Sequence, residues 1–338
     1  MSTVQLRNIW KIFGPNPKYV YDTMDQAASR SEILSQTGHV VAVRDVSLEV
    51  ARGEIFVVMG LSGSGKSTLV RCLSRLIEPT VGQVLIDDVD VTAMNADDLR
   101  QLRRHTVSMV FQRFGLFPHR RVVDNVAYGL EVRGMAVSER RLKAYEILQL
   151  VGLDGWEDRY PHELSGGMQQ RVGLARALAV DPEIMLCDEP FSALDPLIRR
   201  DMQDELLNLQ QELHKTILFI THDFHEAIKL GDRIAIMKDG AIVQVGTAQQ
   251  IVAHPVDEYV REFTQDVPRT KVLTAETIML SHDGKNALSG EAVLYNTTIE
   301  ALIPRISATD ALFPVVNAAD EIIGVLDRHT VLMALAES

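Results

Sequence analysis

Several things are scarce in this chain, and each shortage removes a class of function. Its 338 residues include 2 cysteines, Cys72 and Cys187, both in apolar or helical stretches and far apart. They read as small buried hydrophobes of a reduced compartment, not as a disulfide framework. Positive charge is in deficit: 34 Lys and Arg face 46 Asp and Glu, a formal net charge of −12. That balance disfavours non-specific binding to nucleic acid, which is not an expected partner. No apolar run approaches the ~18 residues that span a bilayer. The N-terminus has neither the charged nor the apolar region of a signal peptide. Any service to a membrane therefore runs through a partner. There is no heptad insertion that would build a coiled coil. What remains, 46% hydrophobic and 24% charged, fits a soluble globular protein of about two or three domains.

The chain is organised around Val57 to Leu69, VVMGLSGSGKSTL. Gly60, Gly65, Lys66 and Ser67 hold the spacing of a phosphate loop, with Leu61, Ser62, Gly63 and Ser64 between them and Thr68 after. The apolar run Ile55 to Met59 precedes it and reads as a buried parallel strand. Leu69, Val70, Leu73, Leu76 and Ile77 follow at helical spacing. Glycines let backbone N–H groups turn toward phosphate oxygens. Lys66 adds a point charge for the β- and γ-phosphates, and the Ser67 hydroxyl can ligate Mg²⁺. The motif predicts a nucleoside triphosphate and leaves open what its energy drives.

In order along the chain, residues 1–13 read as a strand, and 15–38 as an insertion with a helical patch near Ala27 to Leu34. Val40 to Val50 is a strand, Val84 to Ile86 another, and Asp87-Asp88 a turn. Asp97 to Arg104 is a short helix, and Val107 to Phe111 a buried strand ending at Gln112. From 113 to about 162 helical spacing takes over, with Leu142, Tyr145, Leu148 and Val151 on one face, which predicts an inserted helical subdomain. A helix over Gly166 to Ala179, a strand over Ile184 to Cys187 and a long helix from Pro196 to His214 follow. Then come a strand over Thr216 to Ile220 and a hairpin turning at Asp239-Gly240. Alternating strands and helices predict an α/β fold with a mostly parallel sheet covered on both faces. Lys66, Gln112, Asp188 and His222 follow apolar strands, so they can converge at one sheet edge.

Two further stretches carry chemistry. Ile184 to Asp188 puts a carboxylate at the end of a buried strand, suited to Mg²⁺, and Glu189 follows, placed to polarise an attacking water. Alone, an Asp-Glu pair reads as an acidic helix start; beside a phosphate loop it reads as catalytic. Leu164-Ser165-Gly166-Gly167-Met168-Gln169-Gln170-Arg171 opens a helix with Ser and two Gly, a second anion site. One nucleotide does not need two cradles from one chain. The simple solution is a dimer in which this loop closes over a nucleotide held by the other copy.

With these motifs together, the chain over about residues 3–265 resembles the ATP-binding cassette (ABC) ATPases. Ser165 to Arg171 match the signature loop, Gln112 the Q-loop, Ser192-Ala193-Leu194-Asp195 the D-loop and His222 the switch histidine. The resemblance implies an ABC-type P-loop NTPase domain, a parallel core with an antiparallel β subdomain and a helical subdomain. It implies ATP and Mg²⁺ as cofactors, and two copies sandwiching two ATP molecules. Ser165, Gly166, Gly167 and Asp195 of one copy would face the ATP on the other, with His222 at the γ-phosphate and Gln112 linking metal, water and partner. Phe13 falls where the family stacks an aromatic on adenine, although Trp10 is nearby and packing in the core is the other reading. The helical subdomain implies an integral membrane permease partner, with a separate substrate-binding protein engaged indirectly. The expected location is the cytoplasmic face of the membrane.

Ile9 to Gly14, the insertion ending at Gly38, Met59-Gly60-Leu61 and Ser192 to Arg199 are similar to the glycine betaine/proline (quaternary amine) importer ATPases. A histidine or choline importer of the same family is the alternative, and a non-transport cassette ATPase a more distant one. Residues 271–338 resemble a single CBS motif. Such motifs offer Thr or Ser and then Asp three residues on to a ribose; here the order is Asp327 and Thr330. The expected division is thus 1–265, an ABC ATPase domain, and 271–338, a CBS-like regulatory module.

Overall fold

The computed structural model describes residues 2–111, 115–192, 194–282, 288–307 and 309–336. The chain forms two compact units, Met1–Ile242 and Val243–Ser338. The expected boundary near 265–271 falls inside the second unit. The helices Ala248–Ala253 and Glu258–Thr264 pack with each other, and the first also meets the short helices Arg269–Val272 and Ala275–Ile278.

The first unit carries two sheets, except that it ends within their last strand, at Ile242. The strands are β1 (Ser2–Phe13), β2 (Val40–Ala51), β3 (Ile55–Met59), β4 (Val81–Ile86), β5 (Val89–Asp90), β6 (Val107–Val110), β7 (Ile184–Asp188), β8 (Thr216–Thr221), β9 (Arg233–Lys238) and β10 (Ala241–Gly246). A four-stranded sheet runs β2-β1-β4-β5, and its pairs are antiparallel. A six-stranded sheet runs β10-β9-β3-β8-β7-β6. Its central pairings, β9 to β3, β3 to β8, β8 to β7 and β7 to β6, are parallel. β3, β7 and β8 are buried along their whole length, as unbroken apolar runs require when helices cover both faces. The hydrophobic core lies where the two sheets meet, around Phe56, Val58, Leu69, Leu186 and Ile220.

The helices are α1 (Pro17–Thr23), α2 (Arg30–Thr37), α3 (Lys66–Leu73), α4 (Ala96–His105), α5 (Val122–Val126), α6 (Tyr128–Val132), α7 (Val137–Leu150), α8 (Gly166–Ala179), α9 (Pro196–Leu213) and α10 (Phe224–Leu230). The insertion holds two helices, not one patch. α1 starts on Pro17, and α2 on a capping box in which Ser29 and Glu32 satisfy each other's backbone N–H. Only Val20 of α1 is buried, so α1 has almost no apolar face for a periodicity reading to find. α5, α6 and α7 form the helical subdomain against α8. The expected face of α7 is half wrong. Leu148 and Val151 are fully buried with Ala144, but Leu142 is 61% exposed and Tyr145 38%. The turn Asp87-Asp88 and the hairpin at Asp239-Gly240 take left-handed backbone, as short Asp/Gly turns should.

In the second unit, β11 (Val293–Leu294) pairs parallel to β12 (Phe313–Val316), which pairs antiparallel to β13 (Ile322–Leu326). Its core gathers Ile299, Leu302, Phe313, Val315 and Leu326.

Glu226 on α10 is buried, and its carboxylate accepts a 3.0 Å hydrogen bond from Gln203 Nε2 on α9. Burial outweighs the hydrogen bonds from Thr221 and Gln203 and pushes its pKa above the usual carboxylate range. A raised acid pKa means the folded state binds the proton more tightly than the unfolded chain. This group then costs stability as pH rises from the unfolded value through the folded one. Glu226→Gln keeps the acceptor and removes the charge. Its melting temperature should exceed that of the parent at neutral pH, and the gain should vanish in acid, below about pH 4, where both side chains are neutral. Thermal melts across that range check it.

Candidate functional site

The site forms at the carboxyl edge of three neighbouring strands because their registers are level. Met59 lies opposite Thr221, and Asp188 opposite Ile220, so the residues that follow emerge together. These are the loop 60–65, Asp188 with Glu189, and His222.

The loop turns on glycines. Gly60, Gly63 and Gly65 have φ of 150°, 81° and 108°. A Cβ on Gly60 would lie 2.2 Å from the Met237 carbonyl oxygen, and one on Gly65 2.2 Å from that of Ala42. These two need glycine for space as well as for conformation. Leu61, Ser62 and Gly63 are exposed at the tip, while Ser64 is buried and its N-terminal half-turn is tied by Gly240 N–H to the Ser64 carbonyl. The Ser64 hydroxyl is buried with no hydrogen-bond partner among the described residues. An orphaned hydroxyl in a glycine loop that opens a helix fits an anion. Lys66 is 4% exposed, and its Nζ donates to the Gly60 carbonyl at 2.7 Å and the Leu61 carbonyl at 3.0 Å. Burial lowers the pKa of this ammonium, opposed by the charges of Glu189 and Asp188. Glu189 Oε1 is 3.8 Å away. Phosphate oxygens are the natural replacement for those two carbonyls.

Ser67 Oγ donates to Asp188 Oδ1 at 2.6 Å, and Arg71 Nη2 to Asp188 Oδ2 at 3.1 Å. Ser67 and Arg71 are one helical turn apart on α3, so both reach the same carboxylate. Arg71 is a site residue that the motif reading missed; its i+4 spacing from Ser67 was the available signal. A hydroxyl and a carboxylate in contact are the hard oxygen donors that Mg²⁺ takes, with water and phosphate oxygens completing its shell. Thr68 is half-buried in the same turn.

Glu189 has φ of 47°, in the left-handed region, a strain of about 1–2 kcal/mol for a residue with a Cβ. Its backbone N–H donates to the Ile220 carbonyl at 3.1 Å, which holds that turn. Its carboxylate reaches His222 Nδ1 at 3.2 Å, and His222 is half-exposed. A carboxylate, an imidazole and an ammonium thus surround the space above the loop. His225 is exposed on α10, a surface residue as its position suggested.

Phe13 ends β1 and is 41% exposed, with Lys11 Nζ 4.9 Å from its ring centre. Trp10 is 4% exposed and packed with Ile12, Ile33 and Val41. Of the two aromatics, Phe13 has a free face. Gln112 lies outside the described residues, as does Ala193.

The residues expected to form a second anion site lie at the start of α8. Ser165 caps α8, and its Oγ accepts from Met168 N at 3.4 Å. Ser165 and Gly166 are exposed, and a Cβ on Gly166 would meet open space. Gly167 is buried against α9, where a Cβ would lie 2.4 Å from Ile198 Cγ2. Asp195 caps α9 through Ile198 N at 3.1 Å and is exposed. The loop Ser165 to Gly167 thus presents a serine and free helix N–H groups outward.

Comparison with known proteins identifies relatives of the chain. Residues 43–192 match the family model described as ABC transporter. The glycine betaine transport ATP-binding protein OpuAA of Bacillus subtilis (strain 168) is 56% identical over 276 residues, which are 82% of this chain and 66% of that one. The trimethylamine N-oxide transport system ATP-binding protein TmoW of Ruegeria pomeroyi is 50% identical over 99% of this chain and 97% of its own. The chain therefore spans about two thirds of the first relative and nearly all of the second. Among solved structures, the dimeric post-hydrolysis state of the ATP-binding cassette MJ0796 bound to ADP and Pi is similar. Its TM-score is 0.61 at 33% identity, covering 72% of this chain and 98% of that one.

The loop geometry separates two kinds of glycine. Gly65→Ala meets both a left-handed φ and a backbone oxygen, and should cost more than about 2 kcal/mol. Gly63→Ala meets the φ alone, with open space around its Cβ, and should cost about 1 kcal/mol. Urea unfolding of the two variants measures the difference.

Proposed function

Because this chain belongs to the ATP-binding proteins of ABC transporters, we propose that it is the ATP-hydrolysing subunit of an importer for glycine betaine or a related small methylated amine. The observation that carries the substrate class is the 56% identity to a glycine betaine transport ATP-binding protein. The end-to-end match to a trimethylamine N-oxide transport protein favours a second reading within the class, because it includes the C-terminal unit. Both molecules carry three methyl groups on one nitrogen. That substrate is chosen by other subunits, a permease and a substrate-binding protein. This subunit docks on the cytoplasmic side of the permease. Among the described residues no helix is long and apolar enough to cross a membrane.

Two copies close on two ATP molecules. In each site Lys66 and the loop amides hold the β- and γ-phosphates. Ser165, Gly166 and Gly167 of the other copy cap the γ-phosphate, and Asp195 follows them across the interface. The exposure of Ser165 and Gly166 at the start of α8 supports this. Ser67 and Asp188, with Gln112, would hold Mg²⁺, which would supply positive charge against the phosphate oxygens. Glu189 accepts the proton of the attacking water as its oxygen bonds to the γ-phosphorus. The bond to the bridging oxygen breaks, and ADP and phosphate form. His222 orients Glu189 through their 3.2 Å contact and meets the γ-phosphate. Phe13 stacks on the adenine. The exposed Leu142 and Tyr145 on α7 belong to the surface available to the permease.

The C-terminal unit is a CBS-like regulatory module. Asp327 Oδ1 accepts from both Thr330 N and Thr330 Oγ1 at 2.7 Å, so Asp and Thr are tied to each other at the start of the last helix. Regulation through this unit runs by ionic strength or a cyclic dinucleotide.

In proteoliposomes with the cognate permease and binding protein, glycine betaine or trimethylamine N-oxide should stimulate ATP hydrolysis and enter the vesicle, and histidine should do neither. Uptake of histidine alone would contradict the substrate class. Glu189→Gln should lower hydrolysis about 100- to 10,000-fold while ATP still binds. Phosphate release and filter binding of ATP separate the two effects.

A further inference from the structure

The two-helix segment between β1 and β2 does more than decorate the sheet. It is anchored by a small core of its own. Ile33 of α2 is 1% exposed and packs on Trp10, Ile12 and Val41. Tyr21 of α1 meets the Trp10 ring edge-on, with centres 5.4 Å apart. At its base, the His39 ring bridges the Pro15 carbonyl at 2.6 Å and the Thr37 carbonyl at 2.7 Å. α2 is therefore a fixed wall.

What it faces is the phosphate loop. Arg30 Nη1 donates to the Gly63 carbonyl at the loop tip at 3.2 Å, and lies 3.8 Å from Asp239 at the β9–β10 turn. Between α2 and β2 is a cavity of about 460 Å³ lined by Arg30, Leu34, Val40, Arg44 and Asp239. Leu34 and Val40 are 47% and 43% exposed, apolar groups left open to it. Val40 is also the direct cross-strand partner of Phe13, which puts an aromatic ring at the rim. Two guanidiniums, apolar flanks and a ring, continuous with a phosphate loop, are the chemistry that takes a ribose and a flat base.

We infer that α2 is the side wall of the nucleoside half of the ATP site, with Leu34 against the base and Arg30 joining that wall to the phosphate loop. The inference rests on the loop 60–67 being the ATP site. Leu34 then contributes to nucleoside binding alone. Arg30 contributes to both halves, because it touches the loop that holds the phosphates. α2 lies outside the loop motif, so this contact is one that motif matching does not find.

The test measures binding of MgATP and of inorganic triphosphate to the full chain by calorimetry, with circular dichroism melts to show that each variant folds. Leu34→Ala, on an exposed position, should weaken MgATP about tenfold and leave triphosphate unchanged. Arg30→Ala should weaken both several-fold. Lys66→Ala should abolish both. If MgATP binding needs Lys66 but is unchanged in both folded α2 variants, the assignment of α2 is overturned. If MgATP binding survives Lys66→Ala, the reading of the loop is overturned, and this one with it.

Discussion

A buried ammonium sets the terms for the rest of this structure. Lys66 is all but inaccessible to water, and a lone charge there would be costly. The fold answers with two carbonyls in contact and two carboxylates nearby, and the carboxylates come from a different strand. Asp188 and Glu189 can stand there because β7, β8 and β3 are parallel neighbours in level register. The parallel sheet, its helical cover and the unbroken apolar strands follow from that need. An antiparallel arrangement would send the next strand's end to the opposite edge. The same balance prepares the site for an anion, since phosphate oxygens can take over the role of the carbonyls without exposing the charge.

Much of the site was legible in the sequence. Loop motifs are local, and their residue types are dictated by backbone constraints: Gly60 and Gly65 leave no room for a Cβ, and α8 begins at Gly166 behind its capping Ser165. Strand ends are legible too, because an apolar run that stops at a charged residue marks where a buried sheet meets solvent. What escaped were features set by tertiary packing. α1 has almost no buried face, so periodicity does not register it. Leu142 and Tyr145 share a helical stripe with Leu148, yet the core against α8 is reached by Ala144, Leu148 and Val151. The choice between Trp10 and Phe13 likewise needed the fold, which buries the first beneath α2. The division between units moved because short helices after β10 pack with the tail.

The two anion sites of this chain are built differently, and the difference is informative. The phosphate loop is inward, tight and charged. The loop at Ser165 is outward, open and uncharged, with its serine already bonded in its own turn. A surface that exposes free helix N–H groups and a glycine with nothing beside it is unfinished as a site. In the proposed function, a second copy of the same chain carrying a triphosphate on its own loop would complete both halves at once. In that account nucleotide is the glue of the dimer, and hydrolysis releases it.

The direct test is to pair two defective copies. One carries Lys66→Ala and keeps its Ser165 loop; the other carries Ser165→Arg and keeps its phosphate loop. Each is also given Glu189→Gln so that bound ATP persists. The copies are tagged differently, and mixed dimers are purified through both tags with radiolabelled ATP and rapid desalting. The account predicts that neither variant alone retains ATP as a dimer, while the mixed dimer retains one ATP, in the site where both intact halves meet. Two ATP per mixed dimer, or retention by either variant alone equal to that of the parent, would contradict a site shared between copies.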